Sequence, residues 1–402
     1  MQATEQKPHH PLLRNRSFRA LWLASTCSFL ALSTYLFAEQ WYILRVLKLD
    51  AYLGLVLMLT LLPRIFLMVF GGVIADRFNK SIILRYSSLL RFTFVLLLLS
   101  VYHFELLTIV PLALFAFTFG CIDAFFSPAS ASLLPLLVSK EDLTRANSIL
   151  QTSNQMALFS GPLLGGVLLT FSSFHFIFLT IALFLLLASL GTFFIREHPI
   201  DNPTRTSARI ELAQGFHYVF ADPYLKRILF LLIIINFFFF GPLLMGIPLL
   251  VDRVLGGQAL DLSYLQGAYQ LGMLLGAAWI GFSNLINQSF RLLLSLIGLL
   301  GVGLVLLGQI GHVWQGILLL LTMGGISSII NVLILTTIQT TIRPQMMGRV
   351  MSLVNAASNG LVPLSYAALS LTLSFEIRLE QILFFCGCGI VFVVCTAFVR
   401  IR

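Results

Sequence analysis

Residues 71–80 read GGVIADRFNK. An apolar run ends on two glycines, an acid and a base follow side by side, and a second apolar run begins after Lys80. So abrupt a polar stop between long apolar stretches is what a chain shows where it leaves a membrane and re-enters it. Read outward in both directions, the sequence divides into about twelve apolar stretches of roughly 20 residues, enough for a helix to cross ~30 Å of hydrocarbon. They cover approximately 19–44, 51–75, 82–101, 106–130, 146–170, 174–195, 226–251, 262–284, 291–310, 313–337, 349–372 and 379–399.

Composition agrees. Of 402 residues, 58% are hydrophobic and 10% are charged, whereas a soluble domain carries about a quarter charged residues. Most of this surface therefore does not face water. The net charge of +9 invites a nucleic-acid reading, but its distribution answers otherwise. With the N-terminus in the cytoplasm, the outer loops hold only Arg45, Lys48, Arg253 and Arg378, and Arg64 and Arg91 fall inside helices. The other 19 of the 25 basic residues lie on the cytoplasmic side. That asymmetry predicts both termini in the cytoplasm, and the basic charge reports topology rather than a nucleic-acid partner. Residues 1–17 are polar and lead into a full-length helix, so the first helix is expected to serve as the insertion signal. All five cysteines lie in apolar stretches, where packing is expected of them rather than disulfides. Cys386 and Cys388 would point to different sides of a helix, which argues against a metal site.

The longest polar segment, 196–227, splits the stretches six and six. We expect an N-terminal bundle over 1–195, a cytoplasmic linker over 196–225 and a C-terminal bundle over 226–402. The halves echo each other: TRANSILQTSNQ (144–155) aligns with GRVMSLVNAASNG (348–360), and NRSFRALWL (15–23) resembles DPYLKRILF (222–230). Duplicated six-helix halves are a signature of transporters that rock about a central site.

The opening stretch resembles the loop motif of the major facilitator superfamily, Gly-x-x-x-Asp-Arg-x-Gly-Arg-Lys. Gly72, Asp76, Arg77 and Lys80 match, while Asn79 departs from it. Gly72 would allow close helix approach, and Asp76 would form a breakable latch, so these four are candidate gating residues. SGPLLGG (160–166) resembles the antiporter motif of the same superfamily through Gly161, Pro162, Gly165 and Gly166, which tilts the direction towards export. Further stretches, LLRNRSFRALWL, FFSPASASLLPLLVSKEDLTRANSI, QGFHYVFADPYLKRILF and QTTIRPQMMGRVMSL, are similar to the branch holding enterobactin exporters and macrolide efflux proteins. The resemblance spans nearly the whole chain. It implies an all-α integral membrane protein of about 12 helices in two pseudo-symmetric bundles, with helices 1, 4, 7 and 10 lining a cavity.

An ionisable side chain at a helix centre in the bilayer costs at least ~2.5–3.5 kcal/mol, so each one needs a partner or a purpose. Glu39 and Arg64 come out at neighbouring depths, as do Asp123 and Arg91. Either they form two internal ion pairs that staple helices, or a carboxylate exchanges protons with the cavity; Glu39 and Asp123 are the coupling candidates. Arg64 and Arg91 are candidate substrate contacts, and the resemblance favours the two carboxylates as cavity residues. The second half offers amides instead: Asn236, Gln266, Gln270, Asn331, Asn355 and Asn359. Interhelical hydrogen bonds worth about 0.6 kcal/mol each are their alternative role. The run NFFFF (236–240) reads as lipid contact, with one ring free to stack on an aromatic substrate.

No Gly-x-x-x-x-Gly-Lys-Ser/Thr loop occurs, and His103, His175 and His312 are scattered singly. The chain is expected to be no enzyme and to need no cofactor or metal. The leading expectation is a multi-pass exporter in the bacterial inner membrane, monomeric and proton-coupled, that moves an amphipathic small molecule by alternating access. The resemblance implies a siderophore or a macrolide-like drug, and cavity-facing arginines would favour an anionic one. An importer on the same fold is the alternative, and a membrane receptor or scaffold is a third reading.

Overall fold

The computed structural model describes residues 12–139, 141–195, 216–282, 290–342 and 360–399, scattered positions between 346 and 358, and only the backbone over 69–77 and at 339. The first half contributes α1 (Arg16–Leu47), α2 (Leu53–Arg77), α3 (Lys80–His103), α4 (Ile109–Leu137), α5 (Leu143–Phe171) and α6 (Phe174–Thr192). The second contributes α7 (Pro223–Val254), α8 (Ala259–Phe282), α9 (Phe290–Leu307), α10 (Val313–Thr341), α11 (Val362–Ser374) and α12 (Leu379–Val399). The packing repeats: α2 lies on α4 as α8 lies on α10, and α3 lies on α6 as α9 lies on α12. The five cysteines are free.

Local chemistry marks the repeat. α1 and α7 open on capping side chains: Asn15 Oδ1 accepts from the Phe18 amide at 3.1 Å, and Asp222 Oδ1 from the Tyr224 amide at 2.8 Å. Pro223 occupies the first turn of α7, where a missing N–H is harmless. Both helices end in a π turn, Ile43–Leu47 and Leu250–Val254, and these turns are 207 residues apart, as the two caps are. α7 carries a further π turn at Asn236–Phe240. There the Ser365 hydroxyl of α11 donates to the Phe237 carbonyl at 2.6 Å.

Three expectations need correction. GGVIADRFNK is mostly helical rather than a loop: α2 runs through Arg77, and α3 starts at Lys80 after the cap residue Asn79. The surroundings of Gly72 and the side chains of Asp76 and Arg77 lie outside what is described, as do Asn355, Asn359 and most of the 196–225 linker. NFFFF is not simply lipid contact, because Phe239 is fully buried and Phe240 borders the central cavity. The histidines are not all single: His103 Nδ1 and His175 Nε2 lie 3.3 Å apart across the ends of α3 and α6.

The halves meet along two helix pairs. α5 crosses α8 so closely that a Cβ on Gly166 would sit 2.5 Å from Ser263. Gly161 and Gly165 of the same motif instead let α5 close on Ser33 and Phe37 of α1. α2 crosses α11 at Gly54, whose Cβ would lie 2.3 Å from the Tyr366 carbonyl. Glutamines bridge the same seam: Gln266 Nε2 donates to Gln40 Oε1 at 2.8 Å, and Gln155 Nε2 to Gln270 Oε1 at 2.9 Å.

At the face opposite the termini the two terminal π turns, with the short turn Asp50–Tyr52 that follows α1, exchange charges. Arg45 Nε pairs with Asp252 at 2.8 Å, and Arg253 Nε donates to Asp50 Oδ2 at 2.5 Å. The Arg45 guanidinium also donates to the Gly257 carbonyl. These pairs are partly exposed, so each contributes only about 0.2–1 kcal/mol. Together they bias the halves towards closure at this face. Replacing Arg45 and Arg253 with Ala should raise the labelling rate of a cysteine at Leu36 by a membrane-impermeant maleimide added from this side about 5-fold or more. The swap Arg45→Asp with Asp252→Arg, in a background free of native cysteines, should restore slow labelling. Equal rates in all variants would mean that these pairs do not hold the face shut.

Candidate functional site

A cavity of about 440 Å³ lies between the halves. Its wall comes from α1, α2 and α4 on one side and from α7, α10 and α11 on the other, with Leu300 of α9. Helices 1, 4, 7 and 10 are therefore joined by α2 and α11. The first-half wall carries Gln40, Thr60, Arg64, Phe119 and Asp123; the second carries Asn236, Phe240, Ser327, Asn331 and Tyr366. One wall is charged and the other is neutral.

The charged wall is built on a buried guanidinium. Arg91 of α3 is wholly enclosed. Its Nη1 pairs with Asp123 Oδ1 of α4 at 2.5 Å, Nη2 donates to Ser28 Oγ of α1 at 2.7 Å, and Nε donates to the Ser87 carbonyl at 3.3 Å. The Phe126 ring lies 4.9 Å from the guanidinium carbon, close enough for a cation–π contact. The second oxygen of Asp123 pairs with Arg64 Nε at 3.1 Å. One carboxylate thus serves two arginines, and the cluster carries a net positive charge. Arg91 sits behind the wall, while the Arg64 side chain remains 27% exposed and presents the surplus charge to the cavity.

Glu39 stands apart. It is 2% exposed and does not border the cavity. Tyr35 Oη donates to its Oε1 at 3.1 Å, and Thr60 Oγ1 lies 3.3 Å from each carboxylate oxygen. No cationic side chain pairs with it among the described residues. The pairing of Glu39 with Arg64 expected from depth is therefore incorrect. The backbone explains why. Thr60 and Arg64 lie four residues apart on one face of α2, and that face packs on α4 at Gly120, where a Cβ would sit 2.1 Å from the Thr60 carbonyl. Close approach to α4 carries Arg64 to Asp123 and leaves Thr60 to meet Glu39.

Of the sequence candidates, Arg64, Asp123, Asn236 and Asn331 border the large cavity, and Arg91 and Glu39 do not. Gln266 and Gln270 border a smaller cavity of about 130 Å³ between α1, α5, α7 and α8. Ser28 and Thr60 carry no distinctive sequence signal, being hydroxyl residues in apolar helices, whereas Tyr35 stands one turn before Glu39 on the same helix and that spacing is the signal that could find it. Among the described residues no group of three or more metal-ligating side chains occurs.

A family model described as Major Facilitator Superfamily matches residues 21–367. The enterobactin exporter EntS of Salmonella typhimurium is 27% identical over 359 residues, covering 83% of this chain and 80% of the relative. A staphyloferrin A transporter of Staphylococcus aureus is 31% identical over 132 residues, covering 32% of this chain and 33% of that one. In overall fold the chain is similar to the nucleoside transporter NupG, with a TM-score of 0.76 at 13% identity over 95% of this chain and 98% of that one. A likeness at that identity concerns the fold alone.

The Arg91–Asp123 contact predicts a contrast in stability. Asp123→Ala leaves Arg91 buried without a counter-charge, a loss of about 3–5 kcal/mol, and should markedly lower the unfolding temperature of the detergent-solubilised protein. Arg64→Gln keeps the buried pair and should stay near wild type. Equal melting of the two variants would contradict this assignment.

Proposed function

The chain belongs to the Major Facilitator Superfamily and is a multi-pass membrane transporter, not an enzyme, and from that footing we propose that it exports an anionic, amphipathic small molecule of siderophore type in exchange for protons. The observation that carries the substrate class is the two-sided cavity. A surplus guanidinium charge at Arg64 faces amides, hydroxyls and the Phe240 ring. Arg64 would attract a carboxylate or catecholate group, since a guanidinium suits planar oxyanions. Asn236, Asn331 and Phe240 would meet the neutral, aromatic part of the cargo. A basic macrolide would meet like charge at Arg64, so the drug reading is the weaker one. The names of the two relatives, an enterobactin exporter and a staphyloferrin A transporter, support the same class.

The direction rests on the antiporter-like segment Gly161–Gly166 and on the exporter relative. Excess basic residues on the terminal side support an inner membrane with cytoplasmic termini. The halves would rock about the 196–225 linker, with the Gly72–Lys80 segment as a gate on the cytoplasmic side and the Arg45–Asp252 and Arg253–Asp50 pairs at the other. A single chain would suffice, because the cavity is built within one copy.

For coupling, Glu39 is the better group. Asp123 sits between two guanidiniums, Arg64 and Arg91, and is engaged by both. Among the described residues Glu39 has hydroxyl partners alone, and charge there is uncompensated in a buried site. A carboxyl that is neutral in one environment and ionised in another is what proton exchange requires.

The test is transport in proteoliposomes with an imposed pH gradient, with enterobactin and erythromycin as probes. We expect pH-driven accumulation of enterobactin, weakened by Arg64→Gln, and little movement of erythromycin. Glu39→Gln should abolish accumulation against a gradient while leaving downhill exchange. Full accumulation by Glu39→Gln would remove this residue from coupling, and preference for erythromycin would overturn the anionic reading.

A further inference from the structure

We propose that the Thr60 hydroxyl is the proton relay between the central cavity and Glu39. The inference rests on the reading of Glu39 as the proton-exchanging carboxyl and adds the route by which a proton reaches it. Glu39 does not border the cavity, and Thr60 does. Thr60 Oγ1 lies 3.3 Å from each Glu39 oxygen and 3.2 Å from the Val56 carbonyl. A hydroxyl has one proton to donate and two lone pairs to accept with, so the three acceptors compete for it.

That competition defines two arrangements. When Glu39 is ionised, Thr60 and Tyr35 both donate to it. When Glu39 is protonated, its carboxyl O–H donates to Thr60 Oγ1, and Thr60 turns its own proton to the Val56 carbonyl. Passage between them balances. A hydronium ion in the cavity gives a proton to Thr60 Oγ1 as Thr60 passes its original proton to Glu39. A water molecule is left behind, the Thr60 O–H is re-formed, and Glu39 becomes neutral. Release runs the same steps backward.

The surroundings hold this geometry in place. Gly120 brings α4 against the Thr60 carbonyl, which packs α2 and α4 backbone to backbone at this level. The Tyr35 ring is stacked on Phe119, with centroids 4.4 Å apart and planes 9° from parallel, which fixes the second donor. The charged groups deep within the adjoining helices, Arg64 of α2, Arg91 of α3 and Asp123 of α4, are engaged with one another; Asp76, Arg77, Lys80 and Arg85 lie at the far end of α2 and the start of α3. Among the described residues, the hydrogen-bonding groups that meet Glu39 are Tyr35 of α1 and Thr60 of α2.

The experiment follows the infrared carbonyl band of protonated carboxyl groups through a pH titration of the full-length protein in liposomes, and needs no substrate. The band component lost in Glu39→Gln belongs to Glu39. In Thr60→Val, and in Thr60→Ala as a second variant should the first not fold, that component should titrate about one to two pH units higher. The ionised form loses a donor there, and the shift matches a hydrogen bond to a charged group. Its response to a pH jump should also slow about tenfold, whereas Thr60→Ser should behave as wild type. An unshifted, equally fast component in both Thr60 variants overturns the relay. No component lost in Glu39→Gln overturns instead the underlying reading of Glu39.

Discussion

Arg91 has no access to water, and the rest of the charged chemistry is arranged around that fact. A guanidinium enclosed by α1, α3 and α4 needs a carboxylate, and Asp123 meets it at 2.5 Å. Burying two charges is expensive, and their attraction offsets this only with good geometry and further hydrogen bonds. Ser28 and the Ser87 carbonyl supply those bonds. One helix from each side is thereby tied to α3, and Asp123 is oriented with its second oxygen towards the cavity. Arg64 can dock there without becoming buried itself. The partial exposure of one arginine thus follows from the complete burial of another.

α2 links this cluster to the second carboxyl. Its contact with α4 at Gly120 is backbone against backbone, which leaves no play in the register of Thr60 and Arg64. Successive turns of a single helix therefore address two acids with opposite chemistry. Arg64 brings charge to Asp123, and Thr60 brings only a hydroxyl to Glu39. One acid is paired with two guanidiniums, and among the described residues the other meets hydroxyls. That separation is the usual physical basis for assigning one group to structure and another to proton exchange.

The two halves share architecture and not chemistry. Capped entries and terminal π turns recur at the same spacing, so the repeat reaches the level of backbone hydrogen bonding. Among the described residues the charged side chains of the cavity nevertheless all come from the first half, and the second supplies amides, hydroxyls and aromatic rings. Small residues and glutamines line the seam between them. Neutral hydrogen bonds and glycine contacts can part without exposing a charge to hydrocarbon, which suits surfaces that must separate and rejoin.

Hydropathy and the internal echo are sufficient to read an all-helical membrane fold of the major facilitator type, because bilayer thickness and backbone hydrogen bonding leave so few alternatives. The same constraint made Glu39, Arg64, Arg91 and Asp123 conspicuous in apolar surroundings. Depth along a helix says nothing about rotation around it, however, and rotation decided the partners. Gly120 turns the Arg64 face of α2 onto α4, so Arg64 joins Asp123 rather than Glu39. Thr60 and Ser28 acquire their roles only through neighbours distant in the chain, whereas Tyr35 meets Glu39 one turn along the same helix; a hydroxyl in an apolar helix looks alike whether it meets a carboxylate or its own backbone. Which groups the sequence places inside the membrane was legible from their energetic cost; which of them touch was decided by the packing of one helix face against another.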